Sequence, residues 1–537
     1  MNTMKMIKNI RIFRILALPL LLCTGCESFL DTVPDNRTEL DTNEKIARLL
    51  VSAYSDANYA SAANAMADDA TCRVGLATAS KTSNPYIVNE DAYYWRETRL
   101  PSHNDSPGGF WNGCYMAIAT ANHALEVIEQ HPDQDEVRYL KSEALLCRSF
   151  FHFLLVNLFA KPYQPGEANI SPGIPYVDKA EKKVLETYER KTVQYVYDRI
   201  EADMTEAFKN LPPESGFKVP AYHFTAKAAI TFASRFYLYK GEFDKVVALT
   251  SQLAPIPVKD PIFGNVPESD PANVWAKTYF AAFKEWGTTF DNIANSWWRS
   301  EGKHNFLLTE TYSTLTRSWT CQYGTIESFL PTSTSKNITG GYWPFTSYTP
   351  TSFKGCTYLY KFTEYFFWTS SSGGLPYVMF PFIRAEEVLL NRIEAEIHLD
   401  RLDAAVNDLN VYYRQRSGAT KGEIISPYQE ATMVLDIAKI KAHYAASLDN
   451  NFLKTYKAYN ADTWSDDKIA LMLTLLDTRK AEYTHEGMRW FDVLRYRIPV
   501  HHKSIDGEDM HLRPDDPRRQ WQIPEIAVKF GLEPNPR

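Results

Sequence analysis

Helical periodicity that arrives in pairs constrains this 537-residue chain more than any other feature. Apolar positions recur at helical spacing through residues 112–130 and again through 134–159. In the second segment Leu145, Leu146, Phe150, Phe153, Leu154 and Leu158 make a wide apolar face. A second pair runs from Ala226 to Tyr239 and from Phe243 to about Leu253, with Gly241 closing the turn between them. A third runs from Arg384 to Leu399 and from Leu402 to Arg416. After their turns the last two pairs match. Phe243-Asp244 precedes Val246-Val247, and Leu402-Asp403 precedes Ala405-Val406, an anchor followed by small apolar residues that pack back on the preceding helix.

Such helix-turn-helix units resemble tetratricopeptide repeats, although these copies lie roughly 160 residues apart and form no tandem array. Unrelated hairpins of a helical bundle are the plainer alternative. The expected fold is mainly α, a tetratricopeptide-like helical-repeat superhelix with long loop-rich insertions that form a ligand-binding face. The insertions are read at about 66–112 and 255–380, where Pro, Gly, Ser, Thr and aromatic residues displace helical periodicity. Gly340-Gly341-Tyr342-Trp343-Pro344 and Ser370-Ser371-Ser372-Gly373-Gly374 are loop chemistry, and long loops usually carry function.

The N-terminus gives an address. Residues 1–14 carry Lys5, Lys8, Arg11 and Arg14 and no acid, and an apolar run from Ile15 to Leu22 comes next. That run is far too short to span a bilayer. Leu22-Cys23-Thr24-Gly25-Cys26 resembles a lipobox, in which Cys26 is acylated and becomes the new N-terminus. An ordinary secretory signal cut nearby is the alternative. The expected division is a signal peptide over 1–25 and one domain over 26–537, with the outer membrane reached through the lipid on Cys26. No later stretch reads as a membrane span. Without the signal the net charge falls from −7 to about −11, which argues against nucleic acid. Cys72, Cys114, Cys147, Cys321 and Cys356 are scattered and odd in number, so they read as mostly buried thiols.

Four segments then converge on one family. Cys26-Glu27-Ser28-Phe29-Leu30-Asp31-Thr32-Val33-Pro34-Asp35 is similar to the start of mature SusD/RagB-type lipoproteins, surface nutrient-binding partners of TonB-dependent transporters. Arg148-Ser149-Phe150-Phe151 resembles the family's Arg-x-Phe-Tyr helix, and the run from Arg384 to Glu396 resembles its Arg-x-x-Glu-x-x-Leu…Glu-Ala helix. Arg479-Lys480-Ala481-Glu482 through Glu486-Gly487-Met488-Arg489-Trp490-Phe491-Asp492 is similar to its C-terminal signature, and Trp521-Gln522-Ile523-Pro524 closes the chain in the family manner. By spacing alone these charges read as framework. Glu486 with Arg489, and Asp492 with Arg495, stand three apart on a helix surface, while Trp490 and Leu494 face the core. Gly487 is read as permitting close packing. His485-Glu486 lacks the second zincin histidine, because position 489 is Arg. His152 reads as a packed or surface histidine.

No Gly-x-Ser-x-Gly elbow, phosphate loop or Gly-x-Gly-x-x-Gly occurs, so no catalytic residue, metal or cofactor is expected. A carboxylate pair such as Asp68-Asp69 leaves a glycosidase as the remote alternative. The resemblance implies a cell-surface protein that captures a glycan and passes it to a SusC-like TonB-dependent transporter, or a relative that captures peptides. Sugars present flat C–H faces edged by hydroxyls, so aromatic platforms with nearby polar groups suit them. In the family the ligand surface is built from inserted loops. By position alone the candidates are Tyr94, Trp95, Trp297, Trp298, Trp319 and Trp343, with Arg73 and Arg299 as polar contacts. Any one of these rings is equally readable as core.

Overall fold

The computed structural model describes residues 42–72, 84–130, 137–182, 186–253, 305–313, 315, 325–327, 330–345, 347–348, 358–359, 362–371, 373–414, 416–423, 426–504 and 506–537. Cys26, Arg73, Trp297, Trp298, Arg299 and Trp319 lie outside them, as does the signal peptide. The elements named below all belong to the unit Asn43–Arg537.

The helices, in chain order, are α1 (Asn43–Leu50), α2 (Ala60–Met66), α3 (Asn84–Tyr93), α4 (Pro107–Gln130), α5 (Val137–Phe159), α6 (Val193–Ala207), α7 (Ala226–Lys240), α8 (Phe243–Leu253), α9 (Ala385–His398), α10 (Leu402–Arg414), α11 (Asp466–Glu482) and α12 (Met488–Arg495). All six helices of the expected pairs are present, and α4 begins earlier than its periodicity suggested because Pro107 fits a first turn. Antiparallel partners α4–α5, α7–α8 and α9–α10 pack against each other, and α9 also packs on α7 and α8. The two matching hairpins are therefore spatial neighbours despite their distance in sequence. Phe243 at the start of α8 stacks on His398 at the end of α9, 4.0 Å between ring centres.

Local chemistry explains the boundaries. Thr225 caps α7 by accepting the Ala228 N–H, and Gly241 ends it in the left-handed region at φ +83°. The Gly241 and Glu242 N–H groups then satisfy the Leu238 and Tyr237 carbonyls. A Cβ on Gly241 would also stand 2.6 Å from Pro165. Helix α5 has the length and composition of a membrane span, unlike any stretch expected from sequence, but its apolar window is wholly buried by its neighbours. Phe150 meets Phe224, Phe232 and Phe382 edge to face, tying α5, α7 and the central sheet into one core. Each such aromatic pair adds roughly 0.5–1.5 kcal/mol beyond its buried area. Cys114 and Cys147 are buried free thiols whose pKa burial pushes upward.

The charged motifs are framework, but their pairing differs from the helical spacing. Arg489 makes a bidentate pair with Asp68 at 2.7 and 2.8 Å, while Glu486 pairs with Arg384 at 3.0 Å. Asp492 holds Arg479 at 2.9 Å, and Arg495 binds Glu394. Each partner comes from another segment, and all of these residues but the half-buried Asp68 are buried, where a charge left unpaired is costly. Arg416 joins Glu386 and Glu482 in the same core. Gly487 stands at φ +73°, with the backbone of Ala60 2.8 Å from where a Cβ would sit. Trp490 and Leu494 do face the core.

The inserted regions are not only loops. Strands β1 (Ala70–Cys72), β2 (Asn305–Tyr312), β3 (Thr325–Glu327), β4 (Ser347–Tyr348), β5 (Tyr358–Leu359), β6 (Thr363–Trp368) and β7 (Gly374–Arg384) lie within or between them. Strand β1 pairs antiparallel with β3, so the early insertion and the central one share a ladder. Strands β2, β7 and β6 form an antiparallel three-stranded sheet in that order. A C-terminal hairpin of β8 (Val500–Lys503) and β9 (Asp509–Leu512) comes after α12.

Candidate functional site

Strand β7 carries Leu375, Tyr377 and Met379 to one side and Pro376, Val378 and Phe380 to the other, because side chains alternate along a strand. Val378 and Phe380 are fully buried, so the second side faces the core. Register places Tyr312 of β2 opposite Tyr377 and Phe367 of β6 opposite Leu375. The outer face therefore collects Glu310, Tyr312, Tyr377, Leu375 and Phe367. The rings of Tyr312 and Tyr377 lie 5.8 Å apart and both are half-buried, while Glu310 is exposed.

Toward the β6–β7 turn the sheet outruns the core. Phe366, Phe367 and Trp368 are 37%, 60% and 65% exposed, a rare concentration of large rings in water. Phe366 and Trp368 share the side opposite Phe367 and meet edge to face at 4.8 Å. The turn is held because the Gly373 carbonyl accepts the Thr369 and Ser370 N–H groups, both at 3.0 Å. At the other end, the Tyr312 N–H donates to the Asp56 carbonyl and the Ser313 hydroxyl donates to Asp105 at 2.6 Å. Burial, and secondarily the Asp105 charge, raise the Tyr312 phenol above its ordinary value. The early insertion thus buttresses the strand that presents Tyr312. A row of exposed and half-buried rings beside one carboxylate suits a ligand with apolar faces and hydroxyl edges.

Two of the rings expected at such a site are core. Trp95 is 5% exposed, stacks on His502 at 4.5 Å and donates its indole N–H to the Met66 carbonyl. Trp343 is 3% exposed and packs against Phe345 and Tyr413. A ring enclosed on all sides offers no platform, so neither is a contact residue. Tyr94 is half-buried, with the Arg96 guanidinium 4.4 Å from its ring centre. The rings of β6 are missing from the expected set because loop composition dominates the region around them. The alternation and aromatic enrichment of Thr363–Trp368 and Gly374–Arg384 around a Ser/Gly turn is the hairpin signal that reveals them.

Acid chemistry has no support at Asp68. Burial opposes its ionisation, but the Arg489 guanidinium outweighs burial and holds the carboxyl well below its ordinary range, the reverse of what a general acid needs. His152 is equally unavailable. Its Nδ1–H donates to the Arg148 carbonyl, its Nε2 accepts the Val177 N–H, and burial lowers its pKa to about 3. A concavity of about 860 Å³ between the Lys161–Ser171 segment and the C-terminal segment is lined by Gln164, Tyr456, Arg497 and Arg519. Arg513 lies 3.7 Å from Asp515, and the other two guanidinium groups rest on neutral acceptors. Arg497 donates to Gln164, and Arg519 donates to the Ile498 and Val493 carbonyls. It offers a single ring, Tyr456, against the row on the sheet.

Residues 28–238 match the SusD-like family model, described as starch-binding and associating with the outer membrane, and residues 292–527 match the SusD family model. SusD-like protein P38 of Formosa agariphila is 26% identical over 258 residues, 47% of this chain and 46% of that one. SusD-like protein P2 of the same organism is 28% identical over 145 residues, 26% of each chain. The chain thus spans less than half the length of these curated relatives in the matched regions. A SusD superfamily structure from Bacteroides fragilis superposes with TM-score 0.59 at 16% identity, covering 91% of this chain and 98% of that one. Another from Bacteroides thetaiotaomicron gives 0.58 at 18% identity, covering 92% and 98%. At such identities the structures establish the shared, mainly helical fold. The two family matches lie on either side of residues 239–291 and take in the Arg148, Arg384 and Arg479–Asp492 motifs, and the chain belongs to the SusD/RagB family of nutrient-binding proteins associated with the outer membrane.

Proposed function

We propose that this protein is a cell-surface lipoprotein that captures an oligosaccharide or polysaccharide and delivers it to a SusC-like TonB-dependent transporter. Acylation of Cys26 holds it at the outer membrane, since two acyl chains give the stable attachment that one does not. The family consists of binding proteins, and a capture role needs a platform, not an acid pair. The observation that carries the reading is the ring row on the outer face of the sheet. Tyr312, Tyr377 and Phe367 stand in register beside Glu310 and continue into the exposed β6 tip. Tyr94, Trp297, Trp298, Trp319, Arg73 and Arg299 remain proposed ligand contacts. One solved neighbour, from Bacteroides vulgatus, is described as a SusD-like carbohydrate-binding protein, with TM-score 0.54 at 13% identity.

The test is calorimetric titration and affinity-gel migration of the mature chain against a polysaccharide panel, with Phe367→Ala and Tyr377→Ala beside wild type. Removing one stacking platform costs on the order of 1–3 kcal/mol, by analogy with bases stacked on aromatic side chains, so affinity falls about fivefold to a hundredfold. Retarded migration without new reducing ends is expected. Folded variants that bind like wild type remove this face from consideration. Retention of a peptide pool with no response to any glycan replaces the sugar with a peptide ligand.

A further inference from the structure

The β8–β9 hairpin carries a second cluster of ligating side chains, on the side turned away from the core. Residues pair Val500 with Leu512, His501 with His511, His502 with Met510 and Lys503 with Asp509. Val500, His502 and Leu512 point inward, while His501, Lys503, Asp509 and His511 are exposed. Two histidines thus stand directly across the ladder from each other in water, with ring centres 4.4 Å apart.

The pairing type favours their approach. The Ser504 N–H donates to the Glu508 carbonyl at 2.8 Å, making that pair the hydrogen-bonded one that closes the turn. Hydrogen-bonded and non-hydrogen-bonded pairs alternate along an antiparallel ladder, so 502/510 is hydrogen-bonded and 501/511 is not. Non-hydrogen-bonded pairs bring their Cα atoms to about 4.5 Å and their side chains closest together. The backbone beneath is fixed. His502 has its ring nitrogens 2.9 and 2.8 Å from the Tyr93 and Ala67 carbonyls and stacks on both Tyr93 and Trp95. Only side-chain rotation separates the edge-to-face rings from a pose in which one nitrogen of each meets a common point about 2.0–2.1 Å away.

We propose that His501 and His511 form a cross-strand site for a divalent transition-metal ion, with water in the remaining positions. Imidazole nitrogen selects zinc, nickel or copper over calcium or magnesium, and copper(II) binds tightest in that series. Among the described residues no group of three or more His, Cys, Asp or Glu side chains forms a metal cage. This site is of another kind, two ligands preset by strand register with open positions facing solvent. Asp509 lies one pair along on the same face. Its carboxylate is held by Lys503 at 2.8 Å.

The test titrates the mature chain with copper(II) or zinc(II) chloride by calorimetry, with copper followed by electron paramagnetic resonance. Wild type should bind one ion per chain at this site, and the spectrum should show two nitrogen ligands. His501→Ala and His511→Ala should each weaken that site at least tenfold. The double variant should be weaker still, because each single variant keeps one imidazole ligand. His123→Ala, an exposed lone histidine on α4, should leave it unchanged. Circular dichroism and an unchanged melting temperature without metal establish that the variants fold. Binding unaffected by both hairpin substitutions, or lowered equally by His123→Ala, overturns the proposal. So does a copper spectrum with a single nitrogen ligand.

Discussion

Gly487→Ala tests how the C-terminal motif locks the early helices to the core. Gly487 precedes α12 at φ +73°, and an added Cβ would meet Ala60 Cα at 2.8 Å, the Tyr59 ring at 3.0 Å and Ala63 Cβ at 3.1 Å. The nearest obstacle is backbone, so no rotamer change relieves it. Left-handed backbone costs a non-glycine residue roughly 1–2 kcal/mol, and overpacking a tight core typically about 1–3 more. Reduced freedom of the unfolded chain returns about 0.4–1 kcal/mol, leaving roughly 1–4.5 kcal/mol of destabilisation. An unfolding entropy near 2.1 cal/mol/K per residue comes to about 1 kcal/mol/K for a body of this size, so Tm should fall by about 1–4 °C. Gly422→Ala is the control, because Gly422 has φ +81° and nothing within 4 Å of the added Cβ. It should cost about 1 kcal/mol or less. Differential scanning calorimetry of both variants decides the matter. If Gly487→Ala melts like Gly422→Ala or like wild type, the contact with Ala60 is not the reason for glycine here.

Buried titratable groups give two further expected outcomes. Glu396 is buried with its Oε2 lacking a hydrogen-bond partner among the described residues, and burial followed by the Asp408 carboxylate raises its pKa well above the carboxylate range. Its native form therefore keeps a proton that the unfolded chain releases above about pH 4.3, so stability declines as pH rises, and Glu396→Gln should raise the urea midpoint at pH 8 more than at pH 5. A gain independent of pH would refute the assignment. His152 behaves in the opposite sense. Its folded pKa of about 3 lies below the unfolded value, so only the unfolded state takes up a proton as pH falls below about 6.5. His152→Gln should therefore flatten the loss of stability between pH 6 and 5 by up to about 1.4 kcal/mol per pH unit, read from urea midpoints, and an unchanged slope would refute it.

The helical half of the molecule was legible because a 3.6-residue period, a capping Thr225 and a left-handed Gly241 are all local signals. That α9 lies against α7 and α8 was legible only as a similarity between hairpins, since sequence does not state which faces meet. The arginine clamps show the limit. Arg489 stands three residues from Glu486, yet takes Asp68 from 421 residues away, because burial, not helical proximity, chooses the partner. Rings failed in the same way. Trp95 and Trp343 are chemically indistinguishable from platform residues until their neighbours are known, whereas Phe367 and Trp368 carry the period-two pattern of a hairpin tip.

The buried charges and the exposed rings are parts of one device. Strand β7 runs from Gly374, opposite Trp368, to Arg384, with register shifts against β2 near its root, and α9 begins at the next residue. Arg384 is buried and bound to Glu482 and Glu486 at 3.0 Å each, and its guanidinium lies 5.0 Å from the Tyr483 ring centre. The root of the strand is thus clamped into the C-terminal motif, while its tip stands in water. Breaking one partner of such a buried pair costs about 3–5 kcal/mol, because the remaining charge is stranded. A platform that stacks on a sugar gains affinity when its rings are fixed before the ligand arrives, since less freedom is lost on binding. The Arg384 clamp anchors the root of the eleven-residue strand. If the sheet rings bind the proposed glycan, this motif aids capture by holding still the strand that presents them.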